Sequence, residues 1–187
     1  MEQQSVQFDH TTVIDHDTVI SEDVVVHENE RLIITGGNTK VILGGEKKIR
    51  FVNEGTVEID AEIILKNCIF SQNSQAMKLT GLMQILGDSE LILGESAEAS
   101  AENSGTIVLK NHAKIQCASE FNTAFLNTGV IQMMHDASVV TGQRAGCSFI
   151  NKGIIQKLDR TVLETGVPAS EVFQNMGMVQ TVPGFDK

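Results

Sequence analysis

The sequence predicts an all-β chain: a right-handed, single-stranded parallel β-helix, a solenoid of about seven coils of about 24 residues. Three observations predict it. The pattern Asn, any residue, Gly, then two residues of which the second is always apolar and the first apolar in all but one case recurs at Asn103, Asn127, Asn151 and Asn175, 24 residues apart each time. Around each recurrence apolar and polar residues alternate with period 2, the mark of a strand with one face in a core. Ten residues after three successive glycines stand Ile115, Val139 and Leu163, which adds a third strand to each period.

The columns give each element its reason. Ala101, Phe125, Phe149 and Phe173 precede the Asn by two and point inward. Gly105, Gly129, Gly153 and Gly177 follow the Asn by two, so Asn and Gly read as a corner made by left-handed residues. Ile107, Ile131, Ile155 and Val179 then face inward, while Gln132, Gln156 and Gln180 face out. The third strand ends at Ala118, Gly142 and Gly166, a second small-residue corner. Coils stacked at about 4.8 Å bring each column into line, so the Asn and Gln amides form ladders beside the backbone ladder.

Extended toward the N-terminus, the register places Phe51, Asn53, Gly55 and Val57 in the same columns. Met77, Leu79, Gly81 and Met83 follow without the Asn, after a step of 26 residues whose two extra residues are expected to bulge near Lys66 to Gln75. One period earlier come Asn29, Arg31 and Ile33. The chain thus reads as one domain, 1–187: an atypical capping coil over 1–28, repeats over 29–182 and a tail over 183–187 begun by Pro183-Gly184. The stack is expected to be roughly 30 to 35 Å long.

With 187 residues and 41% hydrophobic content, the chain has enough apolar surface for one core. Its net charge of −10 argues against nucleic acid as a partner, because phosphate recognition needs a basic face. The one basic run, Lys47, Lys48 and Arg50, reads as a solvated corner. Cys68, Cys117 and Cys147 form no CxxC pair and read as buried free thiols. No apolar run approaches the roughly 18 residues of a membrane span. The start MEQQSVQFDH has neither the basic nor the apolar region of a signal peptide, so the expectation is a cytoplasmic protein or one exported by a leaderless route.

Chemistry is sparse. The most polar corner carries Asn111, His112, His135, Asp136, Asp159 and Arg160, where register sets His112 beside Asp136 and His135 beside Asp159. Imidazoles with carboxylates are the groups that bind a divalent metal or move a proton, which makes His112, His135, Asp136 and Asp159 the one candidate site; solenoid corners are polar by default, and the expectation is no metal, no cofactor and no catalytic residue. The N-terminal set His10, Asp15, His16, Asp17, Glu22, Asp23 and His27 reads as a solvated outer face, with Asp15 and Asp17 on one side of a strand and His16 on the other. Glu90, Glu95, Glu98 and Glu102 flank an Ala/Ser-rich loop. The chain has no Trp and no Tyr, the rings that suit a sugar-binding platform, and the Phe column is committed to the core.

The rungs FVNEGTVEI, FLNTGVIQM, FINKGIIQK and FQNMGMVQT resemble those of right-handed parallel β-helices, in particular bacterial haemagglutinin-like and autotransporter adhesins. That resemblance implies a non-catalytic rod that displays loops. The calcium-binding aspartates and catalytic arginine of pectate lyases, and the short signature motifs of polygalacturonases, are not found. Bactofilins, leaderless β-helices that polymerise end to end, are similar in assembly only. A leucine-rich repeat would need a helical return, which HDASVVTGQRAG, with its β-branched residues and glycines, does not favour. The expected function is a structural scaffold that self-associates or binds a protein partner. An exported adhesin or surface or virion fibre fragment is the first alternative, and a polysaccharide-acting enzyme the second.

Overall fold

A computed structural model describes residues 10–74, 76–93, 100–117, 125–142, 148–158, 160–166 and 172–182. Apart from Val172, every regular element among them is a strand, and no helix is long and apolar enough to cross a membrane.

The chain winds as three-sided coils. The first comprises β1 (Thr11–Ile14), β2 (Thr18–Ile20) and β3 (Val24–Val26). In the second and third, β4 (Arg31–Ile34) is followed by β5 (Lys40–Asn53), and β6 (Thr56–Ile59) by β7 (Glu62–Gln72); β5 and β7 each cover two sides. Next come β8 (Ala76–Leu79), β9 (Leu82–Leu86) and β10 (Glu90–Leu93), then β11 (Ala101–Asn103), β12 (Thr106–Lys110) and β13 (Lys114–Cys117). The sixth coil is β14 (Phe125–Asn127), β15 (Val130–Met134) and β16 (Ser138–Val140), and the seventh β17 (Phe149–Asn151), β18 (Ile154–Leu158) and β19 (Val162–Glu164). Strands β20 (Phe173–Asn175) and β21 (Met178–Val182) form a last, two-sided turn.

All the pairings are parallel, each strand lying on its counterpart one coil away. The first side is an eight-stranded sheet from β1 to β20, and the other two sides are joined through β5 and β7 into a second sheet. The return side is strand, as the β-branched residues of β16 require, so the leucine-rich alternative falls away. All-parallel sheets in α/β proteins have both faces covered, whereas here each side has its inner face covered by the other two around one axial core. Leu43, Leu65, Ile85, Leu109 and Met133 fill that core on the second side and are fully buried. Phe125 lies 4.9 Å from Phe149, and Phe149 lies 5.1 Å from Phe173, so the predicted ring column exists. Each fully buried ring contributes about 1.5 to 3 kcal/mol.

The register toward the N-terminus differs from the one the motif suggests. On the first side the column of Asn103 continues through Leu79, Ile59, Ile34 and Ile14, not through Asn53. Phe51 and Asn53 belong to the third side, where Phe51 stacks on Phe70 at 4.4 Å and Asn53 pairs with Gln72. Successive coils in that column are 20, 25 and 20 residues before the period settles at 24. Phe-x-Asn-x-Gly fits any corner that follows a strand, so the motif alone does not say which corner it marks. The expected bulge near Lys66 to Gln75 is also elsewhere: β7 runs unbroken to Gln72, while β5 shifts register between Gly44 and Ile49, opposite Asn67. Asn29 lies in an exposed turn, and Ile33 faces outward between buried Leu32 and Ile34.

Candidate functional site

The corner between the second and third sides was the chemical candidate, and its backbone explains its composition. Asn111, His112, His135 and Asp136 all have φ between 55° and 69°, and Gly87 occupies the same place one coil earlier with φ 62°. Asn, Asp and His are several-fold enriched among non-glycine residues in this left-handed region. A left-handed corner, of two residues before Ala113 and Ala137 and of Gly87 alone before Ser89, leads into a small buried residue and turns the chain from one side to the next. The polar residues therefore stand where the turn needs them.

His112 and His135 are exposed, and the His112 N–H donates to the His135 carbonyl at 3.1 Å. Asp136 accepts from Arg160 at 2.9 Å. Asp159 lies outside the described residues, as do Cys147, Glu95 and Glu98. Among the described residues no three of His, Cys, Asp and Glu are placed to hold a metal ion.

The N-terminal acids have a structural task. Residues 15–17 form a corner rather than a strand, which corrects the alternation expected for Asp15, His16 and Asp17. Asp17 accepts from the Lys40 N–H at 2.9 Å and Asp23 from the Arg50 N–H at 2.8 Å, so each carboxylate satisfies a backbone donor of the coil above. His16 pairs with Asp15 in solvent at 3.1 Å. Lys47, Lys48 and Arg50 are exposed on the irregular corner of β5, as a solvated basic run should be.

A groove of about 560 Å³ lies on the corner between the first and second sides, lined by Asp17, Asn38, Lys40, Asp60, Glu62 and Leu82 among others. The sequence motif did not point to it. Its signal was the longer Gly36-Gly37-Asn38 corner, which overhangs the short Asp60-Ala61 corner of the next coil. Its acids are engaged: Asp60 accepts from Thr80 Oγ1 at 2.8 Å, and Glu62 lies 3.3 Å from Lys40 Nζ while accepting from Gln84 Nε2 at 2.6 Å.

The ladders are the most ordered polar feature. Asn103 Nδ2 donates to Asn127 Oδ1, Asn127 to Asn151 and Asn151 to Asn175, each at 2.7 Å, and Gln132 donates to Gln156 at 2.9 Å. Asn53 donates instead to Gln72 at 2.7 Å. Asn103 Oδ1 is buried without a donor, because the coil before it carries Leu79 in the Asn place. Neither these ladder asparagines nor Gly105, Gly129, Gly153 and Gly177 have positive φ, contrary to the left-handed corner expected of them. Glycine is required for space: a Cβ on Gly129 would collide with the carbonyl oxygen of Gly105, and one on Gly153 with that of Gly129.

Cys68 and Cys117 are buried and free. Burial pushes both thiols up to about 12, with the Asp23 charge adding to the rise at Cys68. Neither is a nucleophile at neutral pH.

The two ends of the stack differ. At the start, inward Ile14 and Ile20 are only 7% and 8% exposed, while outward Val13 and Val19 are 50% and 64% exposed. At the finish, Met176, Met178, Val179 and Val182 are 61%, 48%, 37% and 37% exposed. Met176 occupies the outward column that Ser104, Thr128 and Lys152 fill below it. Compared with models of protein families, with curated proteins and with solved structures, the chain matches none.

Proposed function

We propose that the chain is a non-catalytic scaffold that self-associates or holds a protein partner through the last described turn of its solenoid. The observation that carries this reading is the exposure of Met178, Val179 and Val182 on a strand whose outer edge has no neighbour among the described residues, and of Met176 in the corner before it. An open strand edge offers a row of backbone donors and acceptors, and proteins ordinarily blunt such an edge with charge, proline or a covering loop. Here the edge carries apolar side chains. The polar residues elsewhere serve corners and ladders, which supports a structural role for the body of the rod. Sedimentation velocity over a wide concentration range tests it, with the Met176→Lys, Met178→Lys double variant as comparison. Wild-type protein is expected to sediment well above the 20.3 kDa of one chain and the variant at that mass. Indistinguishable monomers from both, even with partner-rich extract added, would remove the reading.

A further inference from the structure

We infer that the occupant of the open end is a second copy of this chain, bound end to end about a twofold axis that crosses β21, so that the product is a closed dimer. This rests on the scaffold reading and makes it specific. Residues 172–182 include no Asp, Glu, Lys or Arg in a chain of net charge −10. Most surfaces of so acidic a protein repel their own copies, and this turn does not. The opposite end is unlike it in charge: Asp15, Asp17, Glu22 and Asp23 surround the first coil, whose inward residues are buried and whose outward Val13 and Val19 are exposed. An edge that meets its own copy about a twofold axis is used up by one partner, so association through β21 closes at two and does not propagate as a filament.

The sequence of the edge suits pairing with itself. β21 spans five residues, Met178 to Val182, with Gln180 at its centre. Antiparallel pairing about that centre sets Met178 opposite the partner's Val182, Val179 opposite the partner's Thr181, and Gln180 opposite its own copy. Residues directly opposite one another in such a pair interact strongly, and like charges there are destabilising. A primary amide both donates and accepts, so Gln180 is complementary to itself where a Lys or Glu would not be. Gln180 also heads the outward column of Gln132 and Gln156, so the pairing would join the two rods' amide columns.

The test uses the full chain and two variants at this exposed position, Gln180→Lys and Gln180→Glu, with circular dichroism to verify the fold. Wild-type protein is expected to fit a monomer–dimer equilibrium that saturates at two chains in analytical ultracentrifugation. Each variant alone is expected to dimerise at least about tenfold more weakly, because like charges meet across the axis. An equimolar mixture of the two is expected to recover dimer, since only a self-opposed position turns two repelling variants into an attracting pair. Growth of wild-type protein beyond two chains would overturn the twofold arrangement while leaving a self-associating scaffold. Monomer that binds only a foreign protein would do the same for a partner-holding scaffold. Variants unaffected alone, or not restored by mixing, would show that β21 does not lie on the axis.

Discussion

Asn103 and Asn127 are the same residue type in the same column, yet their amides are in different positions electrostatically. Asn127 both accepts from Asn103 and donates to Asn151, whereas Asn103 donates but its buried Oδ1 receives nothing. Replacing Asn127 with Leu strands a donor below and an acceptor above, an expected loss of about 2 to 4 kcal/mol. Asn103→Leu strands one acceptor and removes an existing orphan, so its loss is expected to be less than about half of that. Urea unfolding of the two variants decides it, and equal losses would mean that the amides do not act as a ladder. The thiols give a pH dependence with a definite sign. Cys68 and Cys117 rise from 9.0 to about 12 on folding, so above pH 9 the unfolded chain releases protons that the folded chain keeps. Stability is therefore full below pH 9 and falls as pH rises toward 12. With no Tyr in the chain, a Cys68→Ala, Cys117→Ala variant should lose less stability than wild type between pH 8 and pH 10.5 in denaturant titrations.

At the scale of the element, the corners set the coil spacing. The Asn-x-Gly corners sit on one another so closely that the corner N–H groups of Thr128 and Gly129 both donate to the Asn103 carbonyl, at 2.8 and 3.1 Å. Gly129→Ala puts a methyl group against the Gly105 carbonyl and must force two coils apart, an expected loss on the order of 3 kcal/mol or more. Gly37→Ala meets nothing within 4 Å and has no positive φ, so it is expected to change stability by less than about 0.5 kcal/mol. Thermal unfolding of the pair separates crowding from a general intolerance of alanine at glycine positions; equal destabilisation would refute the close-approach argument. The sequence marked these glycines correctly and misread why they are there, because left-handed turns and tight approach both select glycine. The left-handed corner is the one at Gly87, Asn111 and His135, where the residue types varied enough to resemble a chemical site.

For the whole molecule, the strict 24-residue period made the fold class, the axial rings and the ladder from Asn103 to Asn175 legible, while the coils before Leu79 were misplaced. Their lengths are 20 and 25 residues because the corners at Gly36–Thr39 and Gly44–Ile49 are longer than those above them, and corner length leaves no trace in a strand's alternation. The exposure of the last described turn was invisible for a related reason: its residues repeat the pattern, and what sets them apart is that β20 and β21 have no strand above them among the described residues. If the coil is the unit of stability, whole coils are removable and partial ones are not. Deleting residues 128–151 joins Asn127 to Lys152 and keeps every column, and deleting residues 60–79 joins Ile59 to Thr80 in the place of Leu79. Both variants are expected to fold cooperatively, with a urea m-value lower by about a tenth because less surface is exposed on unfolding. Deleting the 24 residues 60–83 slides all later strands four places against the coil below and is expected to abolish the transition. If that deletion folded while the 20-residue one failed, the coil lengths assigned to this part of the chain would be wrong, and with them the column that leaves Asn103 at the foot of its ladder.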